Sequence, residues 1–291
     1  MSENVITSYK GFDKNMECRG FKYEVGKEYE MDGEIKCCNR GFHACKSPIE
    51  VWDYYDMLNS RFAEVEQSGK IDEEEKSTKI CSSRIKIKAE LKLADIINIG
   101  VEWLKDITSP SKIKEDGVLN DNGYRRKQIG SSGYSAKIGS SGSSAQIGSS
   151  GYSAKIGSSG DSAQIGSSGD YSKIGSSGDS AQIGSSGYSA KIGSSGYSAQ
   201  IGSSGDYAQI GSSGDYAQID STGEDSVIMC AGNESKAKAK VGSWITLAEW
   251  KWSDEKNRNV PVCVKTEYVD GENIKADTWY QLKNGKFEVN E

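Results

Sequence analysis

The sequence predicts a mainly β protein: a central parallel β-solenoid between an N-terminal α+β domain and a C-terminal antiparallel β domain. Three observations carry this. Isoleucine recurs at every ninth residue from Ile129 to Ile228, twelve times in all. Each unit reads I-G-S-S-G-x-[SY]-[AS]-[KQ]; its glycines would break a helix, and its Ala and Ile alternate with the two-residue period of a strand. The ninth position itself alternates, as Lys137, Gln146, Lys155, Gln164, Lys173, Gln182, Lys191 and Gln200, so an 18-residue period lies over the nine.

That longer period sets the architecture. One unit spans only ~30 Å when extended, too little to enclose side chains. Two units make a flattened coil with two strands and two Gly-Ser-Ser-Gly turns. Identical residues then stack on themselves in every layer, with a Lys row on one face and a Gln ladder on the other. From Ile129 to Ile228 this gives 5.5 coils, a rod of about 26 Å at ~4.8 Å per layer.

Three regions follow: residues 1–118, mixed and charged; residues 124–228, the repeat; residues 229–291, rich in Trp, Tyr and Val. In the first, Ser47-Pro48-Ile49-Glu50 has the form of a capping box and predicts a helix burying Ile49, Trp52, Tyr55 and Leu58. Ile85, Ile87, Ala89 and Leu91 alternate with charged residues as in a half-buried strand, and Leu93 to Leu104 then carries helical spacing. Asp72–Lys76 reads as a solvated loop. In the last region, Trp244–Trp252 and Val260–Val269 read as strands, and Asn284-Gly285 as a hairpin turn. Open solenoid ends invite edge-to-edge pairing, so Trp103 on one side and Trp244 and Trp250 on the other are expected to cap them.

Composition narrows the function. The net charge is −6, and residues 128–228 hold four Lys against eight Asp and Glu, which disfavours nucleic acid as the partner. The start, MSENVITSYKGF, lacks the basic and then apolar pattern of a signal peptide, and no apolar run reaches the ~20 residues that span a membrane. Seven cysteines without framework spacing suit a reducing cytoplasm.

Candidate partner-binding residues are the Lys row (Lys137, Lys155, Lys173, Lys191) and three tyrosines whose parity points them outward, Tyr171, Tyr207 and Tyr216. These rows suit an acidic foreign surface or a second copy of the chain. The repeat lacks the regular Asp of calcium-binding nonapeptides. Cys18, Cys38, His43 and Cys45 are a candidate zinc set, although C-x4-H-x-C is not a usual zinc spacing. No cofactor is called for.

Two resemblances add context. RGFHACKSPIEVWDYY followed by RFAEVEQSG resembles the Gly-aromatic strand, Ser-helix-Tyr and strand pattern of ADP-ribosyltransferases. It implies a nucleotide-using enzyme with Tyr9, His43 and Glu64 or Glu66 as site residues. The chain departs from that pattern, because no His follows Tyr9 and no late catalytic Glu motif is present. YKGFDKNMECRGFKYEVGKEYE, GFHAC, RFAEV, the SGD-type repeats and GSWITLAEW together resemble a family of phage and prophage proteins of Firmicutes. That resemblance implies a protein acting in the host cytoplasm by stoichiometric binding. The expected partner is a bacterial host protein such as a defence nuclease or CRISPR effector, which would make the chain an anti-defence protein; a structural phage component is the other expectation.

Overall fold

The computed structural model of the chain describes residues 5–74, 77–107 and 128–290. The expected start of the repeat at 124 and the end of the first region at 118 lie outside the described residues.

The N-terminal domain is an antiparallel sheet ordered Glu28–Glu30, Lys79–Leu91, Phe42–Cys45, Ile6–Phe12 and Arg61–Glu73. It closes on itself, because Lys79–Leu91 pairs with both Phe42–Cys45 and Arg61–Glu73. The alternation of Ile85 and Ile87 with lysines gives the expected strand, and both isoleucines are buried with Phe12, Ala63 and Val65. Asp72 and Glu73 end the strand Arg61–Glu73 rather than forming a free loop. The helix expected after Ser47 is only a single 3-10 turn, Ile49–Asp53, with no side-chain cap. The acid of the capping box is used elsewhere: Glu50, buried, accepts the Thr78 backbone N–H with both oxygens, at 3.1 and 3.2 Å. The second expected helix is present as α1 (Leu93–Ile107).

The repeat is a parallel solenoid of 18-residue coils. Four-residue strands pair in perfect register, Lys155 on Lys173, Ile156 on Ile174 and Gly157 on Gly175. Gln146 likewise stands on Gln164 and Ile147 on Ile165 in the opposite sheet. The alternating position therefore segregates into a Lys sheet and a Gln sheet. The parallel ladder runs past residue 228: Lys236–Ala239 and Trp244–Leu247 make one further coil, seven strands deep in each sheet. In the strands of the repeat Ile points inward, flanked by Ala or Ser on one side and, in most, the first Ser of the turn on the other, and the stacked isoleucines form a single core that Ala237 and Ile245 continue.

From Gly151 to Gly232 the second glycine of each turn is required by stacking. A Cβ on Gly178 would stand 2.1 Å from the carbonyl oxygen of Gly160, in the coil below. The residue two after it takes the left-handed conformation, from Ser135 (φ 57°) to Tyr216 (φ 57°). Turn aspartates tie the coils together: Asp170 Oδ1 accepts the Tyr188 N–H at 2.9 Å, and Asp179 Oδ1 the Tyr197 N–H at 2.8 Å.

The C-terminal strands close the rod. The hairpin Trp244–Ser253 and Arg258–Tyr268 extends the Lys sheet, and Tyr280–Lys283 with Lys286–Val289 ends the Gln sheet. Asn284 (φ 50°) and Gly285 (φ 68°) make the expected tight turn. Trp250 Nε1 donates to the Ala231 carbonyl at 2.9 Å, tying the hairpin to the last coils. Trp103 lies on α1 against the apolar cluster of Ile49, Trp52 and Ile97.

Candidate binding face and N-terminal pocket

The two sheets of the solenoid share one backbone pattern and differ in what covers them. The outward positions of each strand are the Lys or Gln column and a glycine column. On the Gln sheet, α1 runs along the glycines. A Cβ on Gly148 would stand 2.9 Å from Leu104, one on Gly166 3.4 Å from Val101, one on Gly184 2.7 Å from Ile97, and one on Gly202 2.5 Å from Leu93. Successive helix turns rise ~5.4 Å and successive coils ~4.8 Å, so nearly one helix turn meets each coil. Glycine is what lets the helix come this close.

The Gln column is covered by the 3-10 turn and the loop after it. Gln164 Nε2 donates to Asp53 at 2.8 Å, Gln182 Nε2 to the Trp52 carbonyl at 3.1 Å, and Gln200 Nε2 to Asp56 at 3.2 Å. The amides also bond each other, Gln128 to Gln146 and Gln146 to Gln164 at 3.0 Å. A neutral amide with both donors and acceptors can be buried in this way. An unpaired ammonium in the same place would carry a large desolvation cost.

Among the described residues, nothing covers the Lys sheet. Lys137, Lys155, Lys173 and Lys191 are exposed and in register, and Gln209 continues their column. Among the described residues, a Cβ on Gly139, Gly157, Gly175, Gly193 or Gly211 would meet nothing within 4 Å. Lysines and glycines bound a shallow groove of about 1130 Å³, which ends against Val227 and Met229. Those two are more than half exposed, and Trp244 beyond them is nearly so. Sequence reasoning found the lysines but not the glycine column beside them. The signal was the Lys/Gln alternation itself, which marks the wet sheet and the covered one.

The tyrosines form a ladder on one edge of the rod. Tyr134, Tyr152, Tyr171, Tyr188 and Tyr207 follow one another with centroids 5.1 to 5.8 Å apart; Tyr197 and Tyr216 repeat the contact on the opposite edge at 5.1 Å. Tyr171, Tyr207 and Tyr216 are exposed, as expected. The exposed rings also meet one another, so the ladder links the coils.

A second concavity lies in the N-terminal domain. It holds about 1120 Å³ and is lined by Tyr9, Lys10, Cys18, Tyr23, His43 and Tyr55, among others. Lys10 is buried, its Nζ donating to the His43 carbonyl at 3.0 Å and lying 3.6 Å from Cys18 Sγ. Burial pushes its amine pKa down. Tyr55 Oη and Cys18 Sγ are 3.0 Å apart, and burial drives the Tyr55 phenol up. His43 Nε2 accepts the Cys38 backbone N–H at 3.0 Å. Burial first, and then the charge of Lys10, lower its pKa.

The expected enzyme constellation is only partly assembled. Tyr9 and His43 both line the pocket, whereas Glu64 and Glu66 do not. Glu64 sits across from Tyr9 in the strand register, and Glu66 is paired with Lys88 at 2.6 Å. The expected zinc set is also regrouped. His43 has its ligand atom within 4.8 Å of those of Cys37 and Cys81, while Cys18 contacts Lys10 and Tyr55, Cys38 is exposed, and Cys45 is buried beside Ile49 and Trp52. The Cys37 thiol donates to the Asp72 carbonyl at 3.2 Å. Burial pushes both thiols up, Cys81 to about 12.

Residues 6–99 match the family model of a domain of unknown function, DUF7666. No curated protein and no solved structure matches the chain. The N-terminal domain followed by a β-solenoid is thus the organisation of the molecule. The match ends within α1, before Val101 and Leu104 reach the solenoid glycines.

Proposed function

We propose that the protein works by stoichiometric binding, with the solenoid as a rigid scaffold and its Lys sheet as the surface that meets the partner. One observation supports this above the others: two sheets of the same construction, one sealed by the N-terminal domain and the other bare along its glycine column. Bare glycine in a regular strand weakens it unless something approaches closely, and on the Gln sheet something does. The resemblance to Firmicute phage and prophage proteins supplies the setting. The partner is then a bacterial host protein, a defence nuclease or CRISPR effector, blocked in the host cytoplasm.

The test compares tagged full-length protein with the variant Lys155→Gln/Lys173→Gln/Lys191→Gln in pull-downs from nuclease-treated Firmicute lysate. Gln209 already occupies this column, so the substitutions suit the fold. A host protein captured at one-to-one stoichiometry by the wild type and lost by the variant supports the reading. Capture of nothing, or capture indifferent to the lysines, overturns it.

A second reading, an enzyme in the N-terminal domain, is favoured by the buried amine of Lys10 in an aromatic-lined pocket. Its test is turnover of NAD by the full chain, with loss in Lys10→Met.

A further inference from the structure

The two nonapeptides of each coil relate the sheets by a pseudo-twofold screw along the rod. Rotating the Gln sheet by half a turn places Gly148, Gly166, Gly184 and Gly202 on the glycine column of the Lys sheet. The same rotation carries α1 onto the open groove. Its docking residues Leu93, Ile97, Val101 and Leu104 would meet glycines there with no side chain in the way.

The rotated surroundings differ in the neighbouring column and at the far end. There the Gln amides meet Asp53, Asp56 and a carbonyl, all acceptors. On the open sheet the same position carries ammonium groups one coil apart, so like charges crowd one another until carboxylates arrive. At the far end Val227 and Met229 replace Lys and Gly and present apolar surface. The groove therefore asks for an apolar stripe over glycine, a carboxylate row over lysine, and an apolar end.

We infer that the Lys sheet binds an acidic amphipathic α-helix of a partner protein, held in the way α1 is held on the opposite sheet. Aliphatic residues at i, i+4, i+8 and i+11 enter the glycine column, and Asp or Glu on the adjoining stripe pair with Lys155, Lys173 and Lys191. From the Lys137 coil to the Val227 coil is about 24 Å, the length of roughly 16 helical residues. This rests on the binding reading above and names the chemistry of the partner. The charge component steers the encounter and weakens with salt, while the glycine contact sets the register.

The probe is a synthetic peptide of the α1 sequence, residues 93–107. Gly100 abuts Ile49, and Ile96 and Trp103 lie one turn to either side, so these three mark the stripe beside the docking residues. The peptide carries Ile96→Glu, Gly100→Glu and Trp103→Glu. It is held helical by a lactam between Glu102 and Asp106→Lys on the exposed side. Fluorescence anisotropy reads its binding to the full-length protein.

One-to-one saturable binding is expected. It should weaken at least tenfold with Gly175→Leu, which fills the groove where space is open, and with Lys155→Gln/Lys173→Gln. A peptide of equal charge bearing Ile97→Ser and Val101→Ser should also bind at least tenfold more weakly. Failure of the wild type to bind, equal binding by the serine peptide, or indifference to Gly175→Leu overturns the inference. If the host partner is lost with the lysine variants while this peptide does not bind, the helix is wrong and the binding face stands. If capture ignores the lysines, the binding reading itself falls.

Discussion

Ile97 occupies the space that a side chain on Gly184 would need: a Cβ there would stand 2.7 Å from Ile97 Cδ1. Gly175, its counterpart on the opposite sheet, has nothing within 4 Å of that position among the described residues. The same residue type in the same backbone therefore does two different jobs.

Gly184→Ala should push α1 off the sheet and cost about 1–3 kcal/mol, the usual range for overpacking. Gly175→Ala should be neutral or slightly stabilising, because alanine restricts the unfolded chain and suits a strand better than glycine. Thermal unfolding of the two variants checks this. Equal losses would mean that α1 does not rest on the glycine column.

The alternation of Lys and Gln sets which sheet the N-terminal domain can cover, and deletions read this directly. Removing residues 156–173 takes out one whole coil and leaves every later strand on its own sheet. Removing residues 156–164 takes out half a coil and carries Lys173 and Lys191 onto the covered sheet, beneath α1 and Trp52. The 18-residue deletion brings Asp220 to the place of Gly202 beneath Leu93, so it should keep a cooperative transition and the docked domain at a lowered unfolding temperature. The nine-residue deletion should lose the contact between domain and solenoid, seen as protease cleavage between them. Lys173 would then stand at the place of Gln164 by Asp53, and Lys191 at that of Gln182 by the Trp52 carbonyl; desolvating two ammonium groups against one carboxylate decides the difference.

Much of the architecture was legible because it is periodic. The nine-residue isoleucine spacing fixed the strand, and the 18-residue alternation fixed the coil and separated the lysines from the glutamines. Legibility failed where a residue's partner lies far along the chain. Glu50 has the spacing of a capping box but bonds Thr78, so the expected helix shrinks to one turn. His43 has Cys45 beside it in sequence but Cys37 and Cys81 beside it in space. Tyr171 and Tyr188 occupy different positions of the repeat, yet their rings stand 5.8 Å apart on one edge. Above all, nothing local says that a glycine column is covered on one sheet and bare on the other. That asymmetry comes from Leu93–Leu104, dozens of residues upstream.

Stacking of the turns makes a separate prediction. The Gly178 position lies 2.1 Å from the Gly160 carbonyl oxygen when a Cβ is added, and that neighbour is backbone. No side-chain rotation relieves the overlap. Gly178→Ala should cost more than Gly184→Ala, where a helix can shift, and should lower the unfolding temperature by several degrees, at roughly 2–4 °C per kcal/mol for a chain of this size. An unchanged transition would mean that the coils are spaced more widely at the turns than along the strands.

His43 ties the N-terminal pocket to pH. Its Nε2 accepts a backbone N–H from Cys38, which requires the neutral ring. Lys10, Arg19 and Lys79 all raise the cost of protonating it, the Gly41 backbone works the other way, and burial is the largest cause of its lowered pKa. The unfolded chain therefore takes up the proton first as pH falls through its ordinary value of about 6.5. The contribution of His43 is complete above that value and is lost on acidification through the window below it, with a slope no steeper than about 1.4 kcal/mol per pH unit for one proton. Wild type should lose stability between pH 7 and pH 5.5, above the range in which most carboxylates titrate. His43→Gln cannot take up that proton, so its stability should change far less over the same interval, whatever its absolute value. Parallel pH profiles in His43→Gln and wild type would show that the ring is not held neutral in the fold.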